Sequence, residues 1–140
     1  MRVIVTGGAG FLGRLLIQGL QEEGIEDIVA IDVVTAEIPG CQVLQSDLAH
    51  DQILAGLLKE SPCTIFHLAS VVSAGAEADW EHAVDQNIGG MLQLLEACRQ
   101  SNHFHKVVFA STLAVFGGDT AGGEVGDFVK QTPSGTYGTT

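Results

Sequence analysis

The hydrophobic positions change period repeatedly along the chain. Val3-Ile4-Val5 is a short, nearly all-apolar run ended by Gly7-Gly8, the pattern of a buried parallel strand. Phe11, Leu12, Leu15, Leu16 and Leu20 then fall at helical spacing, and Gly24 stops that helix. Ile28-Val29-Ala30-Ile31 predicts a second strand ending at Asp32. Pro39-Gly40 marks a turn, and Cys41-Gln42-Val43-Leu44 predicts a third, weaker strand. Ile53, Leu54, Leu57 and Leu58 give a short helix, and Thr64-Ile65-Phe66-His67-Leu68 a fourth strand. The longest predicted helix runs from about Trp80 to Arg99, with Val84, Ile88, Met91, Leu92, Leu95 and Cys98 on its apolar side. Trp80 reads as a packing residue. Lys106-Val107-Val108-Phe109-Ala110 predicts a fifth strand, and a Gly-rich loop follows from about Gly117 to Gly135.

Strands alternating with helices mean repeated βαβ units, hence an α/β fold with a doubly wound parallel sheet in the order 3-2-1-4-5. No repeat, low-complexity tract or linker divides the 140 residues, so they read as one domain.

Charge narrows the partners. Six Lys and Arg against 17 Asp and Glu leave a formal net charge of −11. That disfavours nucleic acid and anionic membrane surfaces. Cys41, Cys63 and Cys98 form no CxxC pair and no zinc pattern, which fits a reducing compartment and no metal. His103 and His105 lack the further ligands a metal needs. The chain runs from Met1 directly into the first strand, and no apolar run approaches the ~18 residues needed to span a bilayer. The expectation is a cytoplasmic protein without a membrane partner.

The 18 glycines are the main chemical clue. Thr6-Gly7-Gly8-Ala9-Gly10-Phe11-Leu12-Gly13 satisfies both GxGxxG and GxxGxxG, after a strand and at the start of a helix. One glycine makes the tight turn, another admits a pyrophosphate close to the backbone, and the last lets helix and sheet pack closely. Phe11 and Leu12 open the helix, whose N-terminal N–H groups and dipole favour phosphate. Asp32 lies 19 residues after Gly13, where an acid accepts from ribose hydroxyls. Val33-Val34-Thr35 offers no cation to a 2′-phosphate, which favours NAD over NADP.

These residues resemble the short-chain dehydrogenase/reductase superfamily in its extended branch, the nucleotide-sugar epimerases, dehydratases and related dehydrogenases. The resemblance also rests on Ser46-Asp47-Leu48, His67-Leu68-Ala69-Ser70, Asn87, the run from Ser111 to Gly117, and Tyr137, in family order along nearly the whole chain. It implies a Rossmann fold in which Asp47 and Leu48 meet the adenine, Leu68, Ala69 and Ser70 lie along the cofactor, and Asn87 sits on its side. It further implies Tyr137 as the catalytic tyrosine, also touching the cofactor, and Thr112 as the catalytic Ser/Thr facing substrate, with Ser111 as neighbour or substitute.

The stretch from His67 to Asp79 is similar to that of the D-erythronate dehydrogenases, which oxidise a four-carbon sugar acid at C2 with NAD. In that reading Ser73 faces substrate. The family's tyrosine is followed four residues later by a lysine, which here falls one position past Thr140. A free phenol has a pKa near 10, and bringing it to roughly 7 amounts to about 4 kcal/mol, for which that ammonium is the principal source. The resemblance therefore implies an NAD-binding domain over residues 1–140, the N-terminal part of a longer enzyme whose substrate region is absent. The implied function is an NAD-dependent oxidoreductase acting on a small hydroxy acid or sugar-like alcohol, homo-oligomeric at full length, with little turnover in this piece. The alternatives are a nucleotide-sugar epimerase or dehydratase, and a non-catalytic dinucleotide-binding module. A family dimer would use the face of the Trp80–Arg99 helix that the sheet does not cover.

Overall fold

The computed structural model describes residues 1–117 and 125–140. Part of the Gly117–Gly135 loop thus lies outside the described residues.

Five parallel strands form one sheet in the order β3-β2-β1-β4-β5. They are β1 Arg2–Thr6, β2 Ile28–Asp32, β3 Gln42–Gln45, β4 Cys63–His67 and β5 Lys106–Phe109. The expected strands are all present, each within two residues of its expected bounds. Alternation along the central strand sends apolar side chains to both faces. Ile4 joins Val29, Ile31, Leu54, Leu58, Ile65 and Leu94 in one core, whereas Val3 and Val5 join Ile17, Ile28 and Ala30 in the other. The first core is covered by α2 (Ile53–Glu60) and α5 (Gly90–Gln100), and the second by α1 (Phe11–Glu22).

Successive strands are added to one side of β1 as far as β3 and to its other side from β4. The β1–β2 connection leaves β1 on one side, and the route to β4 returns on the other. The carboxyl ends of β1 and β4 therefore open onto a crevice, the usual ligand position in such sheets.

Four features add to or depart from the expected elements. A helix α3, Ser73–Ala78, precedes the long one. A single 3-10 turn, Leu113–Phe116, follows β5, and α6 spans Thr136–Thr139. The long helix is also not uniform: α4 (Trp80–Ala83) passes into a π-helical segment, Val84–Gly89, before α5. The side that packs inward is Ala83, Gly90, Leu94 and Ala97, each one position before Val84, Met91, Leu95 and Cys98. Ile88, Leu92 and Leu95, expected on one apolar side with Val84, Met91 and Cys98, are exposed instead. Trp80 is 59% exposed and does not pack as expected.

Candidate functional site

The glycine turn is built by close contacts. Gly7 takes a φ of +69°, and a Cβ there would lie 2.8 Å from the Ala69 nitrogen. A Cβ on Gly13 would lie 2.3 Å from the Gly7 carbonyl oxygen, so α1 sits directly against the turn. Gly10 is different: a Cβ would meet only the Gly7 carbonyl oxygen, at 3.2 Å. Gly10 is the N-cap of α1 and provides no side-chain cap, so the first turn of the helix faces outward without a built-in acceptor.

A cavity of about 440 Å³ lies at this turn. Gly7, Gly10, Asp32, Asp47, Leu48, Leu68, Ala69 and Ser70 line it, all of them expected cofactor residues. Asp32 is held from behind. Its Oδ2 accepts from the Ala9 N–H at 3.0 Å and its Oδ1 from the Val34 N–H at 3.2 Å, leaving lone pairs on both oxygens. Asp47 accepts from the Ala49 N–H at 3.0 Å and from Gln86 Nε2 at 3.0 and 3.1 Å.

A second cavity of about 360 Å³ adjoins the first, and His67, Leu68, Ala69 and Ser70 line both. Ser111, Thr112, Tyr137, Asn87 and Leu12 complete much of its wall. The expected catalytic and cofactor residues thus meet in two connected spaces. Gly13 lies beneath the turn rather than in the groove, and Phe11 and Ser73 line neither cavity. Ser73 begins α3 with a φ of +31°, one residue beyond Val72, which does line the second cavity.

His67 sits between the two cavities and is 2% exposed. The Thr6 hydroxyl oxygen accepts from the Leu68 and Ala69 N–H groups, each at 3.2 Å. Both its lone pairs are then taken, and its hydrogen is left to donate to His67 Nδ1 at 2.8 Å. The Leu68 N–H is shared with the Thr6 carbonyl at 3.1 Å, and the pattern matches a His67 ring with its proton on Nε2. Burial pushes its pKa below the usual value, consistent with a neutral ring.

Asn87 acts on the backbone. Its Oδ1 accepts from the Val71 N–H at 2.7 Å, and its Nδ2 donates to the Val71 carbonyl at 3.0 Å and to Thr140 Oγ1 at 2.9 Å. Tyr137 is placed by its neighbours. A Cβ on Gly138 would lie 2.3 Å from the Ala114 carbonyl oxygen, so α6 touches the 3-10 turn that Thr112 caps. Glu77 accepts from the Thr136 N–H at 2.6 Å and from its hydroxyl at 3.2 Å, tying α6 to α3.

Sequence reasoning does not reach Gln86 and Glu77. Neither lies in a glycine motif or at a strand end, and each acts on a residue 39 or 59 positions away. The one available signal for Gln86 is its place in the polar run Asp85-Gln86-Asn87, beside the asparagine already singled out. His103 and His105 serve the structure: His105 Nδ1 accepts from the Cys63 N–H at 3.2 Å, and its Nε2 lies 2.6 Å from Ser101 Oγ. Among the described residues, no helix is long and apolar enough to cross a membrane.

Comparison with known proteins follows the same geometry. The profile described as the NAD dependent epimerase/dehydratase family matches residues 3–140. D-erythronate dehydrogenase from Haemophilus influenzae is 36% identical over 99% of this chain and 46% of its own length. UDP-glucose 4-epimerase from Streptococcus mutans is 32% identical over 84% of this chain and 37% of its own. Among solved structures, UDP-glucose 4-epimerase from Thermus thermophilus in complex with NAD superposes with a TM-score of 0.86 at 29% identity. That match covers 99% of this chain and 47% of the other. The chain spans about half the length of the curated relatives it matches.

Proposed function

The chain belongs to the NAD dependent epimerase/dehydratase family, and on that premise we propose that residues 1–140 are the NAD-binding domain of an oxidoreductase. The reaction class is hydride transfer between NAD and a hydroxy acid or sugar-like alcohol. The observation that carries this reading is the pair of connected cavities, one at the glycine turn with Asp32, the other with Thr112 and Tyr137.

The residues present fit the cofactor. Gly7 and Gly13 bring strand, turn and helix into contact, and Gly10 leaves backbone open to a pyrophosphate beside the uncapped N-terminus of α1. Asp32 accepts from ribose hydroxyls with the lone pairs its backbone partners leave, and its charge repels a 2′-phosphate. Asp47 and Leu48 hold the adenine, and Leu68, Ala69 and Ser70 pass along the cofactor into the second cavity. NAD, when bound, supplies the hydride acceptor. Thr112, with Ser111 beside it, holds the substrate oxygen by hydrogen bonding, and Tyr137 takes the proton from that oxygen. Asn87 keeps Val71 in place and so shapes the segment after β4.

The substrate reading follows the 36% identity to a D-erythronate dehydrogenase, and the 32% identity to a UDP-glucose 4-epimerase supports a nucleotide-sugar substrate as the second reading.

Calorimetry tests the reading. NAD binds more tightly than NADP, and Asp32→Ala weakens NAD roughly tenfold to a hundredfold, the loss of hydrogen bonds to a charged acceptor, while narrowing the preference. Equal or stronger NADP binding sinks it.

A further inference from the structure

The amide of Gln86 lies between two carboxylates. Its nitrogen donates to both oxygens of Asp47, at 3.0 and 3.1 Å, and lies 3.4 Å from Asp85 Oδ2, which also faces His50 Nε2 at 3.0 Å. Asp47 Oδ1 receives a second donor, the Ala49 N–H at 3.0 Å. A carboxylate has about four acceptor positions. Two on Oδ1 and one on Oδ2 are filled, which leaves one lone pair on Oδ2. Both Asp47 and Gln86 line the first cavity. Gln86 lies in the π-helical segment Val84–Gly89. Gln86 and Asn87, adjacent in sequence, both turn to the site, one to Asp47 and the other to Val71.

We propose that Gln86 is a positioning residue that makes the groove select a purine bearing a 6-amino group. It does so by holding Asp47 still with one acceptor site turned to the base. The inference rests on the dinucleotide reading above. A 6-amino group donates a hydrogen to that site. A 6-oxo group cannot, and sets a second acceptor against the carboxylate. The 6-oxo base does have an N1–H, but one ring position away, out of reach of a carboxylate that is locked. Without Gln86 the carboxylate is free to turn to either donor.

The test uses this chain, with NAD and its hypoxanthine analogue as ligands in calorimetry. The native chain prefers NAD by about tenfold or more, the worth of a hydrogen bond to a charged acceptor. In Gln86→Met the NAD affinity falls, the analogue binds more tightly than before because the freed carboxylate can accept its N1–H, and the preference is lost. Gln86→Glu keeps the shape but sets a third carboxylate beside Asp47 and Asp85, and loses the preference too. A cooperative thermal transition in either variant shows that it is folded. A variant that keeps the native preference overturns the proposal, and so does one that weakens NAD and the analogue equally. If the native chain binds both ligands alike, the proposal falls while the dinucleotide site stands. If it binds neither, the dinucleotide reading falls with it.

Discussion

His67 shows how a single buried side chain ties stability to pH. Burial holds its pKa below the ordinary 6.5, so the folded state favours the neutral ring and the unfolded state binds the proton more readily. The contribution to stability is fully present above about pH 6.5, the unfolded value, and is lost as pH falls through the folded pKa. Protonation would also set an Nδ1–H against a Thr6 oxygen that already accepts from two amides. The melting temperature is therefore expected to be level near neutral pH and to decline below about pH 6.5. His67→Gln should flatten part of that decline. His105, whose pKa burial also lowers, adds to it. Carboxylates do not confuse this window: hydrogen bonds from Arg99 and Gln100 hold Glu96 at about 2, and the Ser46 hydroxyl keeps Asp51 below its usual value. An unchanged slope in His67→Gln, measured by thermal melts across pH, would count against this account.

Two glycines of α1 separate turn chemistry from helix propensity. Gly13 has the Gly7 carbonyl oxygen where a Cβ would go, at 2.3 Å, whereas Gly19 has nothing within 4 Å. Gly13→Ala must push the helix off the turn and is expected to lower stability and abolish measurable NAD binding. Gly19→Ala should raise stability by about 0.5–1 kcal/mol and leave NAD binding alone. Urea unfolding paired with calorimetry checks both, and a benign Gly13→Ala would mean that the turn does not need its close contact. The long helix teaches the opposite lesson. Its ends are readable from Trp80 and Arg99, but its rotation is not, because the small residues Ala83, Gly90 and Ala97 take the inward side and leave larger apolar residues outside. Leu94 and Ala97 face the core, where the simple pattern puts Leu92 and Leu95.

At the scale of the molecule, the surface is divided between charge and unpartnered apolar area. Leu92 is 61% exposed and Leu95 47% on α5, and Phe109 is 56% exposed on β5, the edge of the sheet. An apolar helix face and an open strand edge both favour association. The net charge of −11 opposes it over distances that salt shortens. Light scattering at micromolar concentration is expected to show species larger than 14.6 kDa, increasing with salt, and Leu92→Glu should shift them toward monomer. A monomer at all salt concentrations would show that these surfaces are too small or too dispersed to hold two chains together.

The strands, the glycine turn and Asp32 could be read from the chain alone because each is written in a short window, and the strand order because alternating strands and helices admit few topologies. A buried strand must be apolar over four or five residues, a close backbone approach demands glycine, and a strand end fixes where an acid emerges. The partners of the site could not. Thr6 meets His67, Asp47 meets Gln86, Glu77 meets Thr136, and Asn87 meets Val71 only when the sheet closes. Hydrophobic periodicity records that a side is buried, not what it is buried against. A polar side chain at the surface of its own helix gives no local sign of the carboxylate, amide or imidazole that packing will bring within 3 Å of it.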